Sequence, residues 1–439
     1  MTDAGSDSTA SLSQAATWLA QLNALPPEVE AKARLLLLDT FGCLLAGLRH
    51  PEVRQLGHAL RLAFPGETAW PSSDIKLGGA GLAALGAAAA CWDEACEGNS
   101  AAHGRPGLPV VPALLALSAA QDISLGDLLV ALVTGYEIGA RAGELWRIPP
   151  GWHVDGSWHS LSVAAAVARL TAGPRGIRPA IDAAACQIPA SLYLPIAVGS
   201  VLRNTYAAHA VLLGMLSAAA ATAGFNMPQD AFEEGRRRIL GATSVATATP
   251  SGQWTILAGY LKPFAGVRHT HYGVEAALRL REHLVFSLEK IERIRLQIYA
   301  EAVQYCGNRA PRTAIQAQFS LSYAIAAALV LGDLGPNAYD NVGDPIIRRL
   351  EQTVVIEVDQ NRLRRGARVI IEIDGQSLAE SVDDVAGDPA VPMTSDQVVA
   401  KFRRYVEPIL GEGHAGSLVR FFLQGDPDQP ARKCFTFGR

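Results

Sequence analysis

Gly259-Tyr-Leu-Lys262-Pro-Phe-Ala-Gly266-Val-Arg268-His-Thr-His271-Tyr272 divides this 439-residue chain into two regions that read differently. Upstream, residues 14–25, 27–48, 82–92, 110–120, 124–146 and 160–171 carry apolar side chains at three-to-four spacing, the period of an α-helix with one buried face. Alanine is abundant there and permits close helix–helix approach. Pro-Gly and Gly-rich breaks at 103–108, 148–156, 172–178 and 224–228 separate the runs, so an all-helical domain is expected. Downstream of about Gly273 the residues 293–299 alternate and 353–358 are β-branched. Arg368-Val-Ile-Ile-Glu-Ile, Asp374-Gly375 and Gln376-Ser-Leu-Ala-Glu-Ser-Val read as a hairpin with a two-residue turn. Helical runs at 274–284, 317–331 and 345–350 intervene, and 395–410 and 415–423 are helical again. The fold class is therefore mainly α. A large all-helical domain (1–270 and 396–439) carries a smaller α+β lid domain (271–395).

Composition bounds the function. Apolar residues make up 49% and charged residues 18%, which suits a large core rather than a disordered chain. With 38 basic against 42 acidic residues the net charge is −4, without the basic excess of a nucleic-acid binder. No stretch reaches the ~20 unbroken apolar residues of a membrane span. The six cysteines form no CxxC pair, so neither a zinc ribbon nor a disulfide framework is indicated. The polar residues 1–13 lack the basic and apolar parts of a signal peptide. The expected location is cytoplasmic, with no nucleic-acid or membrane partner.

Polar clusters interrupt the apolar background. Trp92-Asp-Glu-Ala-Cys96-Glu97-Gly-Asn-Ser-Ala-Ala-His103-Gly-Arg105 places acids, a His and an Arg on one Gly-broken loop. Gly151-Trp-His153-Val-Asp-Gly-Ser157-Trp-His-Ser160 precedes a helix that either serine can cap. Arg203, Asn204, Tyr206 and His209 open another helix, with Arg203, Tyr206 and His209 expected on one face. In the dividing segment, Pro263 and Gly266 are expected to hold Lys262, Arg268, His269 and His271 out of regular structure. Two fixed cations with two histidines at a domain junction suit a polycarboxylate pocket. Tyr305, expected at the end of the first lid strand, can reach across the cleft. Neither HExxH nor a His/Cys pair at zinc spacing occurs, so no metal site is expected. GxGxxG after a strand, GxxxxGK[ST] and GxSxG are absent as well.

Across nearly its whole length the chain resembles the MmgE/PrpD family of 2-methylcitrate dehydratases, cis-aconitate decarboxylases and iminodisuccinate epimerases. The resemblance rests on Gly104-Arg-Pro-Gly, Gly135-Tyr-Glu-Ile, His153-Val-Asp-Gly-Ser-Trp, Arg203-Asn-Thr-Tyr, Leu261-Lys-Pro, Arg268-His-Thr-His and Gln318-Phe-Ser-Leu-Ser-Tyr. It implies a homodimer whose active site lies between the domains and acts on di- or tricarboxylates without metal or cofactor. The shared event is loss of a proton or group beside a carboxylate, leaving enolate-like charge for cations to stabilise. Carried over by position, Lys262, Arg268 and His271 resemble the family's substrate-binding and proton-handling residues, and His153 and Arg203 its helix-start His and cation. On that footing His271 or His153 is the expected base, with Tyr305 or His103 as the acid. Lys262 stabilises the enolate, and Arg203, Arg268, Arg105, Asn204, Glu97 and Cys96 form the substrate-binding set. Two positions depart from the family: Cys96 stands where an acid is common, and Arg105 where His precedes Pro-Gly. Arginine does not exchange protons near neutrality. The resemblance thus implies a cofactor-independent lyase first. An epimerase or isomerase using the same carbanion, or a non-catalytic anion binder, is the alternative.

Overall fold

The structure, a computed structural model, describes residues 12–242, 247–283 and 288–437. Residues 1–11 of the expected polar lead-in and residue 284 of the expected helix 274–284 lie outside the described residues. The expected upstream helices appear as Leu12–Ala20, Pro27–Gly47, Gly79–Cys91, Gly107–Ala120, Leu125–Leu145 and His159–Thr171. Gly79–Cys91 and Gly107–Ala120 are buried on nearly all sides, as their continuous Ala/Leu/Val runs require. Two amphipathic helices, Pro51–Ala63 and Ile177–Ala185, were not read from the sequence.

Contrary to expectation, one described span, Val201–Thr222, is long and apolar enough by length and composition to cross a membrane. Its helical part, Tyr206–Thr222, packs Ala207, Ala210, Val211, Gly214 and Ala218 inward, against His159–Thr171 and Gly79–Cys91. The last long helix, Ser395–Gln424, opens with a capping box at Thr394 and Gln397 and bends at Gly411. It lies along Pro27–Gly47, where buried Lys401 pairs with Asp39 at 2.6 Å and Arg34 donates to the Phe422 and Gly425 carbonyls.

A two-residue ladder joins β1 (Trp152–His153) to β2 (Ser191–Leu192). The remaining strands are β3 (Ile291–Ile298), β4 (Val354–Val358), β5 (Ala367–Ile373) and β6 (Gln376–Val382), in sheet order β4-β3-β5-β6. Only β3–β4 is parallel, and its crossover carries helices, as parallel pairing demands. Ile294, Leu296 and Ile298 sit opposite Ile371, Val369 and Ala367 on the buried face. Helices Arg268–His283 and Leu321–Leu331 pack on this part of the chain and on one another. Asp374 and Gly375 both have positive φ, 49° and 73°, which is the twist a two-residue hairpin turn needs.

The expected irregular segment at 259–272 is only half irregular. Its chain becomes helical at Arg268, because nothing after Gly266 breaks the backbone. Tyr305 likewise ends a short helix, Ala300–Cys306, rather than the strand.

Candidate active site

A cavity of about 540 Å³ opens where the loop 92–105, the 259–272 segment and the β4–β5 loop converge. The loop 92–105 is tied down on several sides. Gly98 and Tyr260 exchange backbone hydrogen bonds (2.9 and 2.8 Å), Gly266 N–H donates to the Asp93 carbonyl (3.0 Å), and Lys401 donates to the Ala95 carbonyl (2.7 Å). Glu94 adopts φ +52° within it. A non-glycine residue tolerates that conformation only where surrounding contacts enforce it.

Glu94 is the hub. Lys262 Nζ donates to its Oε1 (2.9 Å) and to its carbonyl (2.7 Å), Arg105 lies 3.1 Å from Oε2, and Arg203 also pairs with Oε2. Asp155 is the second anion, paired with Arg105 and lying 3.2 Å from Arg203. All five side chains are buried. Burial pushes the two carboxyl groups up, but Arg105 and Arg203, with Lys262 acting on Glu94, hold both well below the usual carboxylate range. Burial lowers Lys262, with Glu94 opposing it. Among the described residues, Cys91, Glu94 and Asp155 are the grouping with metal-holding spacing. The guanidinium groups of Arg105 and Arg203 already occupy that position, 3.2 and 3.0 Å from the Cys91 sulfur.

His153 is set by the β1–β2 ladder beside Tyr193, Tyr206 and Phe319. Its Nδ1 accepts the Asp155 backbone N–H at 3.0 Å, and burial lowers the ring to about 4. Near neutral pH the ring is therefore uncharged with its proton on Nε2. In that state its Nε2 is a hydrogen-bond donor. Ser157 and Ser160 do not cap the following helix, whose N-terminus has no side-chain cap.

The two histidines of the 259–272 segment part company. On a helix starting at Arg268, residues two apart point about 200° away from each other. His269 lines the cavity, with Nδ1 2.6 Å from the Tyr299 hydroxyl and its ring stacked on Tyr305. His271 points inward and is fully buried. Its Nδ1 is 3.2 Å from Arg268 and its Nε2 3.2 Å from the Gly266 carbonyl, outside the cavity lining. That placement does not suit the expected base, which must touch substrate. Burial, then Arg365 and Lys262, lowers His269 to about 3.

Of the other expected residues, Lys262, Arg268, Arg203, Arg105, His103 and Tyr305 line the cavity. Lys262, on the irregular part of the segment, is nonetheless only 1% exposed. Arg268 is held by Asp388 (2.7 Å) and lies over the Tyr260 ring. Asp388 sits after Gly387, where a Cβ would come 1.9 Å from the Leu261 carbonyl. His103 is at the rim, lowered by partial burial and then by Arg147. Arg203 lies in a tight turn, Val201–Thr205, so it does not share a helix face with Tyr206 and exposed His209.

Asn204, Glu97 and Cys96 do not line the cavity. Asn204 accepts from Arg203 (3.1 Å) and so steadies it. Glu97 Oε1 accepts from the Gly107 and Leu108 N–H groups (2.9 and 3.2 Å), capping helix Gly107–Ala120. Burial raises Glu97 to about 8 and Cys96 to about 12. Sequence reasoning missed Arg365; it placed Asp155 and His269 in polar clusters without giving either a role of its own, and did not single Glu94 out from its acidic neighbours. The lining as a whole holds six Lys/Arg side chains (Arg105, Arg147, Arg203, Lys262, Arg268, Arg365) and three acids (Glu94, Asp155, Glu301). By formal charge the lining thus carries a positive excess.

Family models describing the MmgE/PrpD N-terminal and C-terminal domains match residues 13–256 and 264–420. A cis-aconitate decarboxylase-like protein of Aspergillus oryzae is 26% identical over 438 residues, spanning 90% of this chain and 90% of its own length. A cis-aconitate decarboxylase of Aspergillus terreus is 24% identical over 444 residues, spanning 91% and 89%.

Proposed function

The chain belongs to the MmgE/PrpD family, and from that premise we propose that it is a lyase of the dehydratase/decarboxylase type. Its substrate is a small di- or tricarboxylic acid, and the group is lost beside a carboxylate. The observation that carries the reading is the cationic excess of the cavity set against uncharged histidines. A carboxylate held by the Lys262–Arg105–Arg203 group develops enolate-like charge when a neighbouring bond to carbon breaks. Fixed cations in a buried site stabilise that charge without reorganising. His153 donates Nε2–H to the same developing charge, as a neutral imidazole can in a buried site. His269, hydrogen-bonded to Tyr299, is the proton-transfer group, replacing His271 in that role. The reaction so written requires no cofactor.

Proton NMR in D₂O tests the proposal, with 2-methylcitrate, citrate and cis-aconitate offered to the purified protein. A new alkene signal, or loss of a carboxylate with uptake of solvent deuterium, is expected for one of them. Exchange of an α-proton with no group lost would replace the lyase with an epimerase or isomerase. Unchanged spectra across a wider panel of such acids would refute the reading.

A further inference from the structure

Arg365 belongs to no cluster that the sequence singled out. It lies in the polar run Asn361-Arg-Leu-Arg-Arg365 between β4 and β5, directly before Gly366, and reaches the cavity only because the fold carries that loop there. The loop is pinned at its base: Asp359 N–H donates to the Ile298 carbonyl (2.9 Å), and Arg362 pairs with Asp383 (2.6 Å). From this support Arg365 spans to the helical part of the chain and donates to Ser100 Oγ at 3.0 Å.

Its electrostatic position differs from that of the other deep cations. Lys262, Arg105 and Arg203 are matched to Glu94 and Asp155, and Arg268 to Asp388. Arg365 makes no ion pair among the described residues. Burial opposes its charge, and Tyr260, then Tyr299, Tyr272 and least of all Glu301, favour it. An unmatched guanidinium that is half-buried in a cavity is costly unless a ligand supplies the anion. Arg365 and Lys262 both act on His269, so the proton-transfer ring lies within reach of two separate cationic points.

We propose that Arg365 is a substrate-binding residue that takes one carboxylate of the ligand while the Lys262 group takes another. The molecule is thereby stretched past His269. This assignment rests on the polycarboxylate reading above. It makes the β4–β5 loop a determinant of which acids bind, because a ligand with a single carboxylate cannot engage both points. Arginine suits the role because its planar fork meets both oxygens of a carboxylate.

Calorimetric titration of the full-length protein with propane-1,2,3-tricarboxylate tests this without requiring turnover, since that acid has no leaving hydroxyl and no alkene. Arg365→Ala should raise Kd roughly 10- to 100-fold, the range of a lost charge-assisted contact. Arg365→Lys should fall between that variant and wild type. Arg364→Ala removes the same charge from the exposed neighbour in the same loop, outside the cavity lining, and should change Kd by less than about 3-fold, because a long-range field alone is weak and screened. Circular dichroism and melting temperature establish that each variant is folded; where Arg365→Ala is not, Arg365→Lys and Arg365→Gln carry the comparison. Wild-type binding that survives the loss of Arg365, or an equal loss with Arg364→Ala, would overturn the assignment and leave the proposed function standing. No binding by the wild type would sink the polycarboxylate reading itself.

Discussion

The buried network makes opposite demands at Glu94 and Lys262, and the difference can be measured. Three cations (Lys262, Arg105, Arg203) face two carboxylates (Glu94, Asp155), so the group carries a net +1. Lys262→Met brings the count to zero. It removes the Lys262 contacts to the Glu94 carboxylate and to the Glu94 and Gly266 carbonyls but leaves Glu94 paired with Arg105 and Arg203, at a cost of about 1–3 kcal/mol. Glu94→Gln raises the count to +2 with every cation still buried, and breaking a buried pair from one side costs about 3–5 kcal/mol. At about 1 °C per kcal/mol for a chain of 439 residues, Glu94→Gln should melt ~3–5 °C below wild type and below Lys262→Met. A polycarboxylate replaces part of the missing negative charge. The ligand-induced rise in melting temperature should therefore be largest for Glu94→Gln, intermediate for wild type and smallest for Lys262→Met. Differential scanning calorimetry with and without propane-1,2,3-tricarboxylate gives all six values. A Glu94→Gln melting point within about 2 °C of wild type, or ligand shifts equal in all three proteins, would refute the charge-balance argument.

Three further outcomes follow from the same geometry. Glu97 is raised in the folded state to about 8, so its contribution is full below the unfolded carboxyl value and is lost as pH rises through about 8. Glu97→Gln, which copies the neutral acid, should remove that alkaline loss; an unchanged stability profile between pH 5 and 9 in urea titrations would count against it. His153 and His159 are lowered to about 4 and His269 to about 3. The unfolded chain therefore takes up protons first, and stability should fall from about pH 6.5 towards pH 4, with each of the three histidines replaced by Gln flattening the fall. A chevron or denaturant series flat over that range would disprove it. We also propose that a second copy of this chain covers exposed Leu194, Val198 and Leu202, a face next to Tyr193, which lines the cavity and donates to the Tyr305 carbonyl. Light scattering should find a dimer that Val198→Asp with Leu202→Asp converts to monomer, and a wild-type monomer at micromolar concentration would contradict it.

Much of the fold was legible because the signals are local. Asp374-Gly375 supplies the two positive φ values of its turn, and the Ala/Leu runs can be stable only if surrounded. The site was legible as far as charge amid apolar sequence could take it, which reached Lys262, Arg105, Arg203 and Arg268. It failed where the answer depends on direction. Asp93, Glu94 and Glu97 look interchangeable in the sequence. The left-handed turn at Glu94 aims that carboxylate at the cations, while Glu97 turns back to cap a helix. His269 and His271 exchange places for a similar reason: reading the segment as a loop hides the 200° between them, and starting the helix at Arg268 reveals it.

Arg365 was out of reach altogether, since a run of three arginines in a polar loop has the composition of a solvated surface. Only the path of β4 into β5 brings it to Ser100. The chain as a whole is acidic, net −4, so its overall field does not draw polyanions in. The attraction resides in one buried group that is a single positive charge out of balance, and in one unmatched guanidinium beyond it. The first is buried and the second half-buried, so bulk ions screen them less than they would an open surface. Added salt should then slow the arrival of an anionic ligand less than it would at an open basic surface, and leave the bound contacts largely intact.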